Sequence, residues 1–312
     1  MVRYISLSLR EKTLLYALSL SSAILCILIP IIRGYIDVHD AFMLLPTVNI
    51  YFPKSVRLVN YMMLAIIVAL IPHAVIILIN DTYLDEVKRN APIVLREIAE
   101  GLRSGMTMTQ AVERVSLRRK DPISNMLRRA SLLMSLGVSF DEVIERTIRK
   151  YKAPLLQKIA TTLKLAYMSG GKAVEVLETA ASVYDALWAY ERERRASIRE
   201  YVLIVYISMV VMVLVSFMII NFFLKSFAET IAKSAIPGVP TPSGFLVLSV
   251  YDCLLRIAGM LEALFGGLIA GKMSRNKIDS GIPHILFLLL IVFIEWNLLG
   301  YMSSIIKGFL GG

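Results

Sequence analysis

The sequence predicts an all-α integral membrane protein: a helical bundle of about five transmembrane helices with a cytoplasmic helical-hairpin bundle domain. Three observations lead there. The 312 residues are 57% hydrophobic, with a mean hydropathy of +0.67, against an apolar share of ~45–50% in water-soluble domains. Five segments are long and apolar enough to cross hydrocarbon about 30 Å thick at about 1.5 Å per residue. The one long polar stretch, 80–200, lacks the alternating pattern of half-buried strands. The chain divides accordingly into an N-terminal membrane segment with two spans (1–79), the cytoplasmic domain (80–200) and a C-terminal membrane segment with three spans (201–312).

The first span, 13–32, follows Arg3, Arg10 and Lys12 and resembles a signal peptide only in that respect. Its core is too long, and Ile29-Pro30-Ile31-Ile32-Arg33 is not a small-residue cleavage site. The second and third spans are 58–79 and 201–223. The fourth, 245–272, carries Asp252, Arg256 and Glu262, which lipid accepts only if they face other helices. The fifth, 282–303, carries Glu295 beside Trp296 and Asn297. Lys and Arg beside short loops set the orientation. They place the N-terminus, 80–200 and the loop with Lys272, Arg275 and Lys277 in the cytoplasm. The loop 33–57 with Arg33, Lys54 and Arg57, the loop 225–243 with Lys225 and Lys233, and the C-terminus are then external.

Of 34 basic and 24 acidic residues, which give a net charge of +10, the stretch 80–200 holds 21 and 16. Its helix starts are written in the sequence. Thr107 with Gln110, and Ser139 with Glu142, fit the capping box, in which two side chains satisfy first-turn amides reciprocally. Asp121-Pro122 supplies an N-cap followed by proline at the first helical position. Gly105, Gly137 and Gly170-Gly171 close the preceding helices as left-handed caps. The three corners, near Ser104-Gly105, Leu136-Gly137 and Ser169-Gly170, each lead into a further apolar helix and together suggest a duplicated hairpin plan. Residues 172–236 contain neither glycine nor proline, so one helix is expected to run from the soluble domain through the third span. Glu191-Arg192-Glu193-Arg194-Arg195 with Arg199 forms a charged collar on it, and the whole would act as a rigid lever.

This order of two spans, a basic hairpin domain and three spans resembles the type II secretion system F-domain family, membrane platforms of type IV pili and related machines. The likeness is greatest to the platforms of archaeal type IV-like pili and the archaellum and to the tight-adherence branch. The residues that carry it are Ile98-Ala99-Glu100-Gly101-Leu102-Arg103-Ser104-Gly105-Met106 with Ala111-Val112, Leu136-Gly137-Val138-Ser139-Phe140, and Leu261-Glu262-Ala263-Leu264-Phe265-Gly266-Gly267 followed by Gly281-Ile282-Pro283-His284. The resemblance implies a non-enzymatic platform of the cytoplasmic membrane, beneath a growing filament, that contacts a hexameric secretion-type ATPase and pilin-like subunits. Many bacterial relatives carry an acidic residue just before the last corner; this chain has Tyr167-Met168, so no role of that carboxylate carries over.

The residues themselves exclude several chemistries. No glycine-rich phosphate loop ending in Gly-Lys-Ser or Gly-Lys-Thr occurs, so the energy must come from a partner. Asp252 lies in Val250-Tyr251-Asp252-Cys253 rather than in a prepilin-peptidase Gly-x-Gly-Asp signature. Cys26 and Cys253 lie in apolar runs, and His39, His73 and His284 fall in separate segments, so no metal or other cofactor is expected. Asp252 and Arg256, four apart, either neutralise each other within the bundle or serve ion translocation; Glu262 and Glu295 are the other intramembrane polar groups. Gly259, Ala263, Gly267 and Gly271 form a smooth stripe for helix packing or, alternatively, for oligomerisation as in a homodimer. Arg118, Arg119, Lys120, Arg128, Arg129, Arg146, Arg149 and Lys150 are the candidate ATPase-docking surface, with membrane lipid or solvent as the alternatives. Nucleic acid is not expected, because these patches lack interleaved aromatics. A membrane subunit of an ATPase-driven transporter is the alternative function.

Overall fold

A computed structural model of the chain describes residues 4–37, 41–45, 50–227, 230 and 248–310. Arg3, His39, Lys233, most of the loop 225–243 and the last two glycines lie outside them. The elements run α1 (Leu9–Ile32), β1 (Phe42–Leu45), β2 (Ile50–Pro53), α2 (Val56–Arg103), α3 (Met108–Arg118), α4 (Pro122–Ser135), α5 (Phe140–Lys150), α6 (Pro154–Met168), a 3₁₀ turn (Gly170–Lys172), α7 (Ala173–Met218), a π turn (Ile219–Leu224), α8 (Leu248–Arg275) and α9 (Gly281–Leu310). The chain is an all-α membrane protein, and five of these helices are long and apolar enough to span. By contacts it forms two compact units, Met1–Ser8 with Leu78–Ser197, and Leu9–Ile77 with Ile198–Gly312.

The first unit is an antiparallel bundle of the end of α2, α3 to α6 and the start of α7. Thr107 and Gln110 form the complete capping box, amide to side chain in both directions at 3.3 and 3.0 Å. Asp121 accepts from the Ser124 amide and hydroxyl, each at 2.9 Å. Ser139 is the N-cap of α5, but its hydroxyl makes no cap hydrogen bond, so the second expected box is not formed. Gly105, Gly137 and Gly170 have φ of +87°, +85° and +54°, the left-handed region that only glycine enters without strain. Where α2 crosses α3, a methyl on Gly101 would come within 2.9 Å of Ala111 Cβ, so glycine sets that spacing. Val94, Leu95, Ile98, Leu156, Ile159, Leu163 and Leu177 are fully buried in the common core.

The second unit contains α1, the β1–β2 hairpin, the spans of α2 and α7, the π turn, α8 and α9. Phe42 to Leu45 pair antiparallel with Ile50 to Pro53, a two-stranded ribbon that the sequence reading treats only as loop. The helix α2 runs unbroken past the expected boundary at 79, with Pro72 and Pro92 inside it. It does so because the hydrophobic period of the soluble bundle continues that of the span; polarity changes at Asn80, but helicity does not. The helix expected over 172–236 is α from Ala173 to Met218, then π from Ile219 to Leu224, and helical again to residue 227.

Candidate functional site

In the first unit α2 and α7 lie side by side and antiparallel, joined by a ladder of ion pairs. Asp85 takes both Nη groups of Arg195 at 2.8 and 2.9 Å. Lys88 Nζ reaches Glu191 at 2.6 Å, Arg96 reaches Asp185 at 2.8 Å, and Arg103 pairs with Glu178. The collar at 191–195 therefore splits. Glu191 and Arg195 turn to α2, and the Arg195 guanidinium also sits 5.7 Å from the Trp188 ring centroid, whereas Arg192 and Glu193 stay exposed. In the sequence the charges of α7 stand out as a collar, but their partners on α2 do not. The signal was present: charges on α2 at 85, 88, 96 and 103 recur near three- and seven-residue spacing, mirrored by opposite charges on α7.

The eight candidate docking cations fall into different places. Arg119 is bound into the fold, donating to Asp121 Oδ2 at 2.9 Å, Glu97 Oε1 at 3.2 Å and Asn90 Oδ1 at 2.9 Å. Burial works against its charge, but the hydrogen bond to Asp121 and the charge of Glu97 outweigh it, raising the pKa above the already high arginine value. Arg128 donates to the carbonyls of Ser116 and Arg119 at 3.0 and 3.3 Å, satisfying acceptors that the end of α3 leaves open. Arg146 pairs with Glu142 at 2.6 Å, and Arg149 stands 3.8 Å from Glu145. Arg118, Lys120, Arg129 and Lys150 are exposed, and no ion pair involves them among the described residues. The set is thus two structural arginines and six surface cations.

In the second unit Arg256 is 7% exposed. It donates to Asp252 at 2.8 Å and to Asn60 Oδ1 at 2.9 Å, with its guanidinium 4.4 Å from the Trp296 ring centroid. Asn60 was not legible in the sequence, since it stands 196 residues away. Glu262 is the acceptor for Ser208 at 3.4 Å, and Glu295 Oε2 is buried without a hydrogen bond. Gly259, Ala263, Gly267 and Gly271 are buried. A methyl at Gly267 would come within 2.5 Å of Ile285, and one at Gly271 would collide with the Gly281 backbone. The stripe at Gly259, Gly267 and Gly271 is therefore occupied by this chain's own helices. Among the described residues no three potential metal ligands gather.

These features define a class, a multi-pass α-helical membrane protein whose water-exposed part is a hairpin bundle. Residues 94–220, from the end of α2 into the π turn, match the family model "Type II secretion system (T2SS), protein F", which supports the F-domain family. Over 227 residues the chain is 27% identical to an uncharacterized protein of Methanocaldococcus jannaschii, covering 72% of this chain and 34% of that protein. The chain thus spans about a third of that relative's length. No solved structure matches.

Proposed function

We propose that this chain is a platform in the cytoplasmic membrane for assembling a type IV pilus-like filament or secretion machine, of the archaeal and tight-adherence kind. It couples a hexameric cytoplasmic ATPase to pilin-like subunits and is not itself an enzyme. The observation that carries the reading is the match over 94–220 to a stretch that takes in all of α7, a helix that leaves the hairpin bundle and continues into an apolar span without glycine or proline. The ladder to α2 braces its soluble half, so a displacement of the bundle is passed along α7 rather than absorbed. The bundle, 80–200, is cytoplasmic in this reading. Of the candidate docking cations, the exposed Arg118, Lys120, Arg129, Arg146, Arg149 and Lys150 are those available to the ATPase. A membrane subunit of an ATPase-driven transporter is the second reading: Asp252 and Arg256 pair with each other at 2.8 Å and also border a cavity with Asn221, Lys225 and Ser249.

The test is a double variant, Ala196→Gly with Ser197→Pro, which removes a backbone hydrogen bond inside α7 at a cost of roughly 3 kcal/mol. It is expected to insert and to bind its ATPase but to assemble no filaments. Normal assembly by the correctly inserted variant overturns the lever. Failure of the unmodified chain to co-purify with any secretion-type ATPase or pilin overturns the platform reading itself.

A further inference from the structure

At the end of the second unit away from the α8–α9 corner, four helices border one cavity of about 310 Å³, within the roughly 300–1,000 Å³ of small-molecule sites. Val56 opens α2, Leu248 and Ser249 open α8, Asn221 and Lys225 stand in the π turn and just beyond it, and Gly300 lies late in α9. The apolar run of α2 starts at Leu58 and that of α7 ends at Phe223, so the cavity lies where hydrocarbon gives way to headgroups. Its wall is mixed, with Phe217 and Ile220 beside polar groups from α7, α8 and α9.

The polar groups are mostly donors. Lys225 donates to Asn221 Oδ1, one turn back, and Asn221 in turn donates to the Phe217 carbonyl at 3.1 Å. The π turn that carries Asn221 is a rare geometry, frequent at functional sites. Arg256, 7% exposed, gives two of its five N–H groups to Asp252 and Asn60. Trp296, 2% exposed, lines the cavity, and its buried indole N–H has no acceptor among the described residues. A buried donor of that kind is costly unless an acceptor meets it. Two cations, Lys225 and Arg256, stand against one carboxylate, Asp252, so the wall keeps one positive charge. The matching ligand is a monoanion with several acceptor oxygens and an apolar tail.

We propose that this cavity binds the headgroup of an anionic phospholipid. The phosphodiester oxygens accept from Lys225, from the remaining Arg256 N–H groups and from the Trp296 indole, while the glycerol and first methylenes run along Phe217 and Ile220. A phosphodiester brings one negative charge, which the wall neutralises. A zwitterionic lipid adds a cation, for which the wall offers only Asp252, already paired with Arg256. The inference goes beyond the assembly role, and its failure leaves that role untouched. A resident headgroup would also close this cavity to the transporter reading.

The test uses the full chain in nanodiscs with Trp188→Phe, which leaves Trp296 as the one tryptophan. Bromine on the acyl chains near the glycerol is the quenching probe, placed on either phosphatidylglycerol or phosphatidylcholine in discs of otherwise equal composition. Quenching is expected to be several-fold stronger with bromine on phosphatidylglycerol. The difference should persist at about 1 M salt, where bare surface charge is screened beyond about 3 Å. Lys225→Gln should remove the preference while Trp296 emission in neutral discs stays unchanged, and Lys277→Gln, exposed at the α8–α9 corner, should leave it intact. Inorganic phosphate should not displace the lipid; if it does, the site belongs to the free ion and the lipid proposal falls. Equal quenching by the two lipids, loss of the preference in high salt or with Lys277→Gln, or a preference that survives Lys225→Gln also overturns it.

Discussion

The two units are built from the same element, the antiparallel helix hairpin, and close it by different means. In the first, Ile159 and Leu163 of α6 and Leu95 and Ile98 of α2 are fully buried, and the corners are finished by polar caps and glycines of positive φ. In the second, α8 and α9 approach so closely that backbone meets backbone at Gly267, Gly271 and Gly281, while large apolar side chains such as Phe265, Ile269 and Ile294 face outward. Solvent explains the difference. In water, removing apolar area is itself stabilising. In lipid it gains little, so helices are held by close packing of small residues and by buried polar pairs such as Arg256–Asp252.

The sharpest way to break this contrast is Gly271→Val. With the Gly281 backbone where the side chain would go, the α8–α9 hairpin must separate. We expect loss beyond the ~4 kcal/mol that marks exceptional single substitutions, seen as deprotection of α8 and α9 in hydrogen exchange with the first unit unchanged. Leu163→Ala should act the other way round, costing about 2–5 kcal/mol in the first unit, read as faster exchange across α2 and α6 alone. Asp121→Ala removes an N-cap and one partner of Arg119. Its expected cost is about 1–2 kcal/mol, measurable as fraying of α4. The smallest effect separates two similar motifs: Thr107→Ala should cost about 1 kcal/mol, whereas Ser139→Ala, which deletes no cap bond, should lie within about 0.5 kcal/mol of the native chain. Equal costs for the two would contradict the cap geometry described above.

The first unit was far more legible in the sequence than the second. A cap is a local event, so Thr107 and Asp121 announced two helix starts, and Gly105, Gly137 and Gly170 announced three ends. Ser139 shows where that logic stops, because its spacing was right and the side chain did not turn to the amide. Along α2 polarity changes at Asn80 while the helix continues to Arg103, so the edge of the span was legible and the full length of the helix was not. Within the membrane the Asp252–Arg256 spacing was readable as a helix turn, but Asn60 and Trp296, which complete the site, come from other helices. Long-range partners of this kind leave no spacing in a single sequence. The eight basic residues were legible as charge and not as position, which is why Arg119 and Arg128 proved to belong to the fold.

The ladder between α2 and α7 also acts as a ruler. Its rungs, 85 with 195, 88 with 191, 96 with 185 and 103 with 178, climb α2 while descending α7 in nearly equal steps, so the two helices are matched in one alignment only. If α7 slid by one turn, Glu191 would come opposite Asp85 and Lys88 would meet Trp188, exchanging two attractions for a repulsion and a mismatch. Slid the other way, Asp85 would find Arg199, but Lys88 would confront Arg195. The two exposed rungs, Arg96 with Asp185 and Arg103 with Glu178, contribute little alone, about 0–1 kcal/mol each. The order of all the rungs along the helices makes a sliding error costly in both directions, so a pull along α7 would have to break the ladder as a set rather than ratchet past it rung by rung.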